Sequence, residues 1–386
     1  MTGGKGARIR DQDGREFIDF TSGWNVVNLG WNHPEVSAAL EEQAKKNVYV
    51  PFWALDPIQE EYAKELTASF SEGLDACLKA TGGMEAIEEA LKIARVYTKK
   101  RKIIGFTGSY HGQSFSALAL GSKPEEVEKI RPLVPDILRT DFPDARENGK
   151  ELDKFLTKLE KRLRKKDIAA VVTEPGIITG SGEMICAPEG YLQAVQQLTH
   201  ENEALLIVDE VGTGFSRTGA LFAIEHENVV PDMVCLGKGI SNGAAAIGAV
   251  VGRSSIFNRF FEDARISSTF GWTSVACAAA LAVLRVHHKE NTAEQARDKG
   301  ARIVARLKEE MVQNSNIVDI RGRGLELGIE LKEGLYQDVV DYAFEHGLYL
   351  TGNETKVIQL MPPLTIPEDV LEEGLEILVK ALRSPT

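Results

Sequence analysis

Residues 205–214, which read LLIVDEVGTG, form the stretch of sequence that decides the fold. Residues 205–208 are apolar without alternation, which is typical of a strand covered on both faces in a parallel α/β sheet. This strand ends at Asp209, and ligands of such sheets bind beyond the carboxyl ends of the strands. Because a buried carboxylate needs a partner, Asp209 is a ligand-binding acid, half of an internal salt bridge, or a metal ligand as in nucleotide hydrolases.

The same pattern continues along the middle of the chain. Short apolar runs alternate with amphipathic segments, which predicts an α/β fold with a mostly parallel sheet and helices on both faces. After Trp272, long helices and a strand–turn–strand unit predict a smaller α+β domain. We therefore expect an N-terminal segment (1–45) that joins the small domain, a large domain (46–290) and a C-terminal small domain (291–386). The other apolar runs are 103–106, 168–172, 233–236 and 247–251, and the helical patterns between them are 86–98, 152–163 and 188–202.

The composition excludes several classes of protein. The 386 residues include 45 basic and 57 acidic side chains, and the net charge of −12 argues against a nucleic-acid-binding protein. The 4 cysteines show no CxxC spacing, so neither a disulfide framework nor a metal site is expected. The longest apolar stretches are well short of the ~20 residues that span a bilayer. Since the N-terminus also lacks a signal-peptide pattern, we expect a cytoplasmic protein that does not enter a membrane.

Lys238 stands between Gly237 and Gly239, directly after the predicted strand 233–236. Glycine allows a backbone to approach a ligand closely, and a lysine in such a place can form a Schiff base with a carbonyl compound. A phosphate-binding lysine is an alternative, although the GxxxxGK[ST] order of a P-loop is absent. A structural surface lysine is the other alternative.

Two further segments follow predicted strands. At 79–86, KATGGMEA leads through a Gly-Gly turn into a helix, whose first N–H groups and dipole suit an anion near Gly83 and Met84. At 108–112, GSYHG offers Tyr110 as a ring face for a planar ligand. His111 is either a general base or a histidine held by structural hydrogen bonds.

Together these residues describe a pocket for pyridoxal 5′-phosphate (PLP). This cofactor needs an amine for its aldehyde, a carboxylate that keeps its ring nitrogen protonated, and a site for its phosphate. Lys238, Asp209 and the helix that begins near Gly83 supply these three groups. No bound metal is expected.

The motifs resemble those of the class III (ω-amino acid type) aminotransferases, which are PLP-dependent transferases of fold type I. The resemblance covers nearly the whole chain, and the motifs follow one another in the family's order. It implies a seven-stranded type of sheet and a PLP cofactor. The matching segments are 209–219 (DEVGTGFSRTG), Pro231-Asp232, 236–239 (LGKG), Asp19-Phe20, 83–95, 110–112, Glu174-Pro175, 268–270 and 361–364.

The resemblance also implies roles for individual residues. Lys238 would form the Schiff base and move the proton between the substrate's Cα and the cofactor's C4′. Asp209 would pair with the pyridinium, and Val211 and Tyr110 would enclose the ring.

Further roles concern the rest of the cofactor site. Gly83 and Met84 would contact the phosphate, and His111 and Glu174 would lie in the same site, with Glu174 near the substrate entrance. Thr269 would reach the phosphate in the neighbouring subunit. The resemblance therefore implies a homodimer or a higher homo-oligomer.

Three positions depart from the family's pattern. Gly212 stands where a Gln usually contacts the ring hydroxyl, and Ile87 stands where Asn is usual. Gln359 stands where many relatives that act on α-amino acids have an Arg for the substrate carboxylate. An amide cannot replace this bidentate, charge-assisted pair. Recognition of a carboxylate must therefore use another residue or matter less.

Aromatic residues near the predicted substrate pocket indicate the chemical class of the amino donor. Trp24 takes a position that lines this pocket in relatives, and Phe52 and Trp53 are expected close to it. Three aromatics there favour an apolar amine or an ω-amino donor. The alternative is that all three belong to the core.

The predicted function is transamination. An amine or ω-amino acid would give its amino group to a 2-oxo acid or aldehyde by a ping-pong mechanism through Lys238. The alternatives of the same fold are a PLP-dependent racemase, aminomutase or decarboxylase. A nucleotide-binding or hydrolytic protein with a metal on Asp209 is the alternative from another class, and the lack of a P-loop and of GxGxxG at the first strand argues against it.

Overall fold

Strands and helices alternate along most of the chain. The computed structural model describes residues 1–51, 53–147, 151–178, 180, 182–350 and 356–383. The strands are β1 (Gly3–Lys5), β2 (Arg8–Arg10), β3 (Glu16–Asp19), β4 (Ala76–Ala80), β5 (Lys102–Phe106), β6 (Ile137–Thr140), β7 (Ile168–Thr173), β8 (Ile177–Ile178), β9 (Ile185–Cys186), β10 (Leu205–Asp209), β11 (Met233–Leu236), β12 (Gly248–Gly252), β13 (Ile317–Arg323), β14 (Glu326–Leu331), β15 (Leu348–Tyr349) and β16 (Val357–Leu360). The helices are α1 (Ser22–Asn25), α2 (Pro34–Lys46), α3 (Pro57–Ala68), α4 (Gly83–Thr98), α5 (Phe115–Gly121), α6 (Glu151–Leu163), α7 (Tyr191–Glu201), α8 (Ser254–Asp263), α9 (Ser274–Glu290), α10 (Thr292–Gln313), α11 (Tyr336–Glu345) and α12 (Glu368–Arg383).

Seven of the strands in the described ranges form the central sheet, in the order β4-β12-β11-β10-β7-β5-β6. The five strands from β11 to β6 are parallel, whereas β12 is antiparallel to both of its neighbours. The α/β class and the mostly parallel, seven-stranded sheet predicted from the sequence are confirmed.

The central sheet is covered on both faces, which explains its apolar strands. Leu206 and Val208 of β10 belong to an apolar cluster on one face, and Leu205 and Ile207 belong to a cluster on the other. Helices α3, α6, α7 and α9 contribute to the first cluster, and α4 and α8 contribute to the second. A strand between two apolar layers needs apolar residues at every position.

A separate core lies around the antiparallel sheet β13-β14-β16. Helices α10, α11 and α12 pack against it, and Ile18 and Phe20 of the N-terminal segment belong to the same cluster. β3 pairs in parallel with β15, so the N-terminal segment joins the C-terminal part of the chain. The division at residues 45 and 290 remains a proposal, which this separate core supports.

The helices also bear on membrane insertion. In the ranges that the structure describes, every helix is too short or too polar to cross a lipid bilayer. The cytoplasmic location remains a prediction from the sequence.

Candidate active site

The candidate site lies at the carboxyl edge of β10 and β11. These strands are parallel neighbours with Asp209 opposite Cys235, so Asp209 and the Lys238 that follows β11 meet at one edge of the sheet. A cavity of about 280 Å³ opens there. It contains every residue predicted to hold the cofactor except Thr269. Its lining residues are Gly83, Met84, Tyr110, His111, Gly112, Gln113, Glu174, Gly180, Asp209, Val211, Gly212 and Lys238.

The backbone around Lys238 is strained and closely packed. Lys238 begins a short 3₁₀ turn with a left-handed φ of 44°, a conformation that costs energy for a residue with a Cβ. A Cβ on Gly237 would lie 2.9 Å from the Gly83 nitrogen, and a Cβ on Gly239 would lie 2.7 Å from Asn28 Nδ2. The two flanking glycines are therefore required by close contacts of the backbone.

The surroundings of Lys238 favour its neutral amine. Burial lowers the pKa of the ammonium, and the carboxylates of Glu326, Glu174 and Asp209 offset this effect only in part. A neutral amine is the form that attacks a carbonyl carbon or accepts a proton. The lowered pKa thus suits the role predicted for Lys238.

Asp209 and His111 form a buried pair. His111 Nδ1 lies 2.6 Å from Asp209 Oδ2, and Asp209 Oδ1 accepts a hydrogen bond from the Val211 N–H at 2.9 Å. Burial alone would lower the pKa of His111, but the hydrogen bond and charge of Asp209 outweigh burial, so this pKa is raised. A cationic His111 offsets the cost of burying the carboxylate. The geometry fits the alternative of a histidine held by a structural hydrogen bond.

Helix α4 points its N-terminus at the cavity. Gly83 begins this helix, and a Cβ on Gly83 would lie 2.6 Å from Val211 Cγ2, so a larger residue would displace Val211. The N-cap residue is Gly82, which has no side chain that could cap the helix. The first-turn N–H groups therefore suit an anion such as a phosphate.

Tyr110 stands at the mouth of the cavity, where it is 47% exposed. Its N–H donates to Glu174 Oε1 at 3.3 Å. A Cβ on Gly180 would lie 1.9 Å from Tyr110 Cβ, so only glycine lets the segment after β8 approach so closely. Glu174 and Gly180 thus fix the position of this aromatic residue.

Trp53 and Thr269 do not line this cavity within the described residues. Trp53 is 76% exposed, and Thr269 is exposed next to Phe270. Their predicted roles in the substrate pocket and at the neighbouring phosphate remain predictions. Phe52 lies outside the described residues.

Trp24 and Gln359 are also absent from the lining of this cavity in the part of the chain described. Trp24 is half-buried in α1 with a left-handed φ of 67°. Gln359 is 2% exposed and lies on β16 opposite Gly328 of β14. A substrate role for each remains a prediction.

Two buried charged residues near the site were not among the predicted residues. Arg217, in the turn after β10, is fully buried, as is Glu326 at the start of β14. Alternation along a strand assigns Glu326 to the polar face, and only the folded chain shows that this face is covered. The sequence gives no signal for its proximity to Lys238.

Known proteins resemble this chain over nearly its whole length. Residues 1–382 match the model of a family described as aminotransferase class-III. The chain is 36% identical over 382 residues to an acetylornithine aminotransferase from Methanopyrus kandleri, and this alignment covers 99% of this chain and 93% of that protein. It is 34% identical over 386 residues to a putrescine aminotransferase from Pectobacterium atrosepticum, and this alignment covers 96% of this chain and 80% of that protein.

A solved structure shows the same fold. An ornithine aminotransferase from Toxoplasma gondii, crystallized with partial occupancy of PLP at its active site, superposes with a TM-score of 0.91 at 30% identity. The superposition covers 99% of this chain and 89% of that chain.

Proposed function

The chain belongs to the class III aminotransferases, and on that premise we propose that Lys238 holds PLP in the cavity at the ends of β10 and β11. The enzyme transfers amino groups and depends on PLP. One observation supports the proposed site above all others. The amine of Lys238, the carboxylate of Asp209 and the helix N-terminus at Gly83 line the same cavity. They fit the aldehyde, the ring nitrogen and the phosphate of the cofactor.

Each residue then has a chemical task. When bound, PLP supplies an electron sink for the charge that develops at the substrate's Cα. Asp209, supported by His111, would stabilise a proton on the ring nitrogen, and Val211 and Tyr110 would enclose the ring. The Lys238 amine would move the proton between the substrate's Cα and the cofactor's C4′, a task for which its lowered pKa suits it.

The class of amino donor is inferred from Gln359 and Trp24. Gln359 is a buried neutral side chain, so it cannot compensate the charge of a substrate carboxylate that lies against it. Trp24 adds an aromatic surface to the predicted substrate pocket. We therefore propose that the donor is an apolar amine or an ω-amino compound, and that the acceptor is a 2-oxo acid or aldehyde.

A donor panel tests the proposed function and its specificity. With pyruvate or 2-oxoglutarate as acceptor, 1-phenylethylamine should give a kcat/KM at least about tenfold above that of 4-aminobutyrate, because the neutral Gln359 cannot form an ion pair with the carboxylate of 4-aminobutyrate. Formation of alanine or glutamate measures the rate with each donor. A Gln359→Arg variant should reduce the difference in kcat/KM between 1-phenylethylamine and 4-aminobutyrate.

The two possible failures are distinct in this panel. If 4-aminobutyrate is the better donor, the preference for apolar amines inferred from Gln359 and Trp24 is wrong, while transamination of an ω-amino donor stands. If no donor in a broad set of amines and ω-amino acids yields an amino acid product, the function itself is contradicted.

We also propose a homodimer or higher homo-oligomer, in which Thr269 reaches the neighbouring active site. Large apolar side chains are exposed around Thr269 and the cavity mouth. Phe270 is 65% exposed and its ring centroid lies 6.0 Å from that of Tyr49, and Met84 of the cavity lining is 46% exposed. Clusters of exposed apolar side chains are typical of protein interfaces.

Replacing Thr269 with alanine should weaken PLP binding about 10- to 100-fold, the effect of removing one hydrogen bond to a charged phosphate. Spectroscopic titration of the apoenzyme with PLP measures this affinity. Ser267→Ala, two residues away on the same exposed segment, is the control and should bind PLP as the wild type does. Equal affinity in all three proteins would argue against a phosphate contact from Thr269.

A further inference from the structure

The turn that carries Lys238 lies against the N-terminal segment of the chain. This 3₁₀ turn, Lys238–Ser241, is followed by Asn242, which has a left-handed φ of 51°. The side chain of Asn242 accepts a hydrogen bond from the Leu29 N–H and donates one to the Gly30 carbonyl oxygen, both at 2.8 Å. The N-terminal segment therefore fixes the end of the turn that begins with Lys238.

Asn28, the preceding residue of the segment, packs directly against this turn. It is 1% exposed, and a Cβ on Gly239 would lie 2.7 Å from its Nδ2 atom. The same Nδ2 donates to the carbonyl oxygen of Phe215, in the turn after β10, at 3.2 Å. The backbone oxygen of Asn28 accepts a hydrogen bond from the Leu364 N–H at 2.8 Å. Asn28 thus joins the residue next to Lys238 to two other parts of the chain.

Arg217 holds the side chain of Asn28 in this orientation. Its Nη2 donates to Asn28 Oδ1 at 2.8 Å. A guanidinium group only donates hydrogen bonds, so the amide oxygen must face Arg217 and the amide nitrogen must face Gly239. Arg217 is fully buried, and its Nη1 also donates to the carbonyl oxygens of Leu325 and Pro362. One cation therefore fixes Asn28 and connects it to the C-terminal part of the chain.

Lys238 needs such support because its own backbone is strained. Its left-handed φ of 44° is unfavourable for a residue with a Cβ and persists only where the surroundings impose it. On the other side of Lys238, a Cβ on Gly237 would lie 2.9 Å from the nitrogen of Gly83, which begins α4. The strained residue is therefore held between the start of α4 and Asn28.

From these contacts we propose that Asn28 is a positioning residue that sets the place of the Lys238 amine in the cavity, with Arg217 keeping Asn28 in its orientation. The inference rests on the proposed function, since it takes Lys238 as the reactive lysine. Asn28 acts through the backbone at Gly239 and not by contact with cofactor or substrate. Its loss should therefore slow the proton transfer and leave the contacts to the ring and the phosphate of PLP in place.

Single-turnover kinetics of the PLP-loaded enzyme test this proposal. Mixing with a saturating amino donor and no acceptor transfers one amino group to the cofactor, and the decay of the visible band gives a rate constant and an amplitude. In Asn28→Ala the rate constant should fall about 10- to 100-fold, the scale of a displacement of about 1 Å between reacting groups. The amplitude should be preserved. Partial misfolding would instead lower the amplitude and leave the rate constant unchanged.

Gly239→Ala disturbs the same contact while Asn28 stays in place. The added methyl group would meet Asn28 Nδ2 at 2.7 Å, and the backbone of Gly239 is not left-handed, so alanine adds no backbone strain there. The rate constant should fall at least about 10-fold. Since Asn28→Ala makes room for the methyl group, the two effects should not multiply, and the double variant should be no slower than Asn28→Ala alone.

Asn314→Ala is the matched control. Asn314 is a buried asparagine at the end of α10 whose Nδ2 donates to the Leu382 carbonyl oxygen at 2.7 Å, so its loss should leave the rate constant unchanged. The proposal is overturned by an unchanged rate constant in Asn28→Ala or in Gly239→Ala, or by an equal loss in Asn314→Ala. Effects of the first two variants that multiply in the double variant would also overturn it.

Borohydride labelling of the wild type separates this inference from the proposed function. If the reduced cofactor is found on another lysine, both the proposed site and the role of Asn28 are wrong. If Lys238 carries the cofactor and the variants react as fast as the wild type, only the positioning role is wrong.

Discussion

Replacing Lys238 with alanine is expected to lower kcat by about 10⁴-fold or more and to abolish the visible absorption band of the bound cofactor. The variant loses both the amine that binds the aldehyde of PLP and the base that moves the substrate proton. Steady-state assays with the best donor of the panel, together with absorption spectra of PLP-loaded protein, measure the two effects.

The control for Lys238 is Lys92→Ala. Lys92 is an exposed lysine of α4 that pairs with Glu89, so its loss should change neither rate nor spectrum. A Lys238→Ala variant that keeps both the band and turnover would remove this lysine from the mechanism.

Asp209→Ala is expected to lower kcat by about 10³-fold, the scale of losing one preorganised charge contact in a buried site. The ring nitrogen loses the anion that stabilises its proton, and His111 Nδ1 loses its partner at 2.6 Å. Since the pKa of His111 is raised through Asp209, its imidazole should also become neutral at a lower pH than in the wild type. Steady-state kinetics measure the first effect, and NMR titration of the histidine measures the second.

The matched variant is Asp209→Asn, which keeps the shape of the side chain and removes its charge. It should be nearly as slow as Asp209→Ala, because the charge and not the volume supports the ring nitrogen. Near-normal kinetics in either variant would contradict the role of Asp209.

The central strands could be predicted because burial on both faces constrains every residue. β7 and β10 are continuous apolar runs for this reason. β6 (Ile137–Thr140), by contrast, was not predicted. Among the described strands it pairs with β5 alone, at the edge of the sheet, and it has a half-buried Arg139. An edge strand is less constrained, so its sequence carries a weaker signal.

The site residues could be predicted where a reactive side chain directly follows a predicted strand. Lys238 and Asp209 both follow apolar runs, and parallel strands bring such ends together. The resemblance placed His111 in the site, but its pairing with Asp209 could not be predicted, since the two residues are 98 positions apart in the sequence. The same holds for Glu326, whose burial depends on contacts with the N-terminal segment.

The most direct test of the central claim is to trap the bound cofactor and locate it. Sodium borohydride reduction of PLP-loaded enzyme, followed by proteolysis and mass spectrometry, shows which lysine carries the phosphopyridoxyl group. We expect a single label on the peptide that contains Lys238. A label on any other lysine, or an unlabelled chain after reduction, would contradict the claim that Lys238 holds the cofactor.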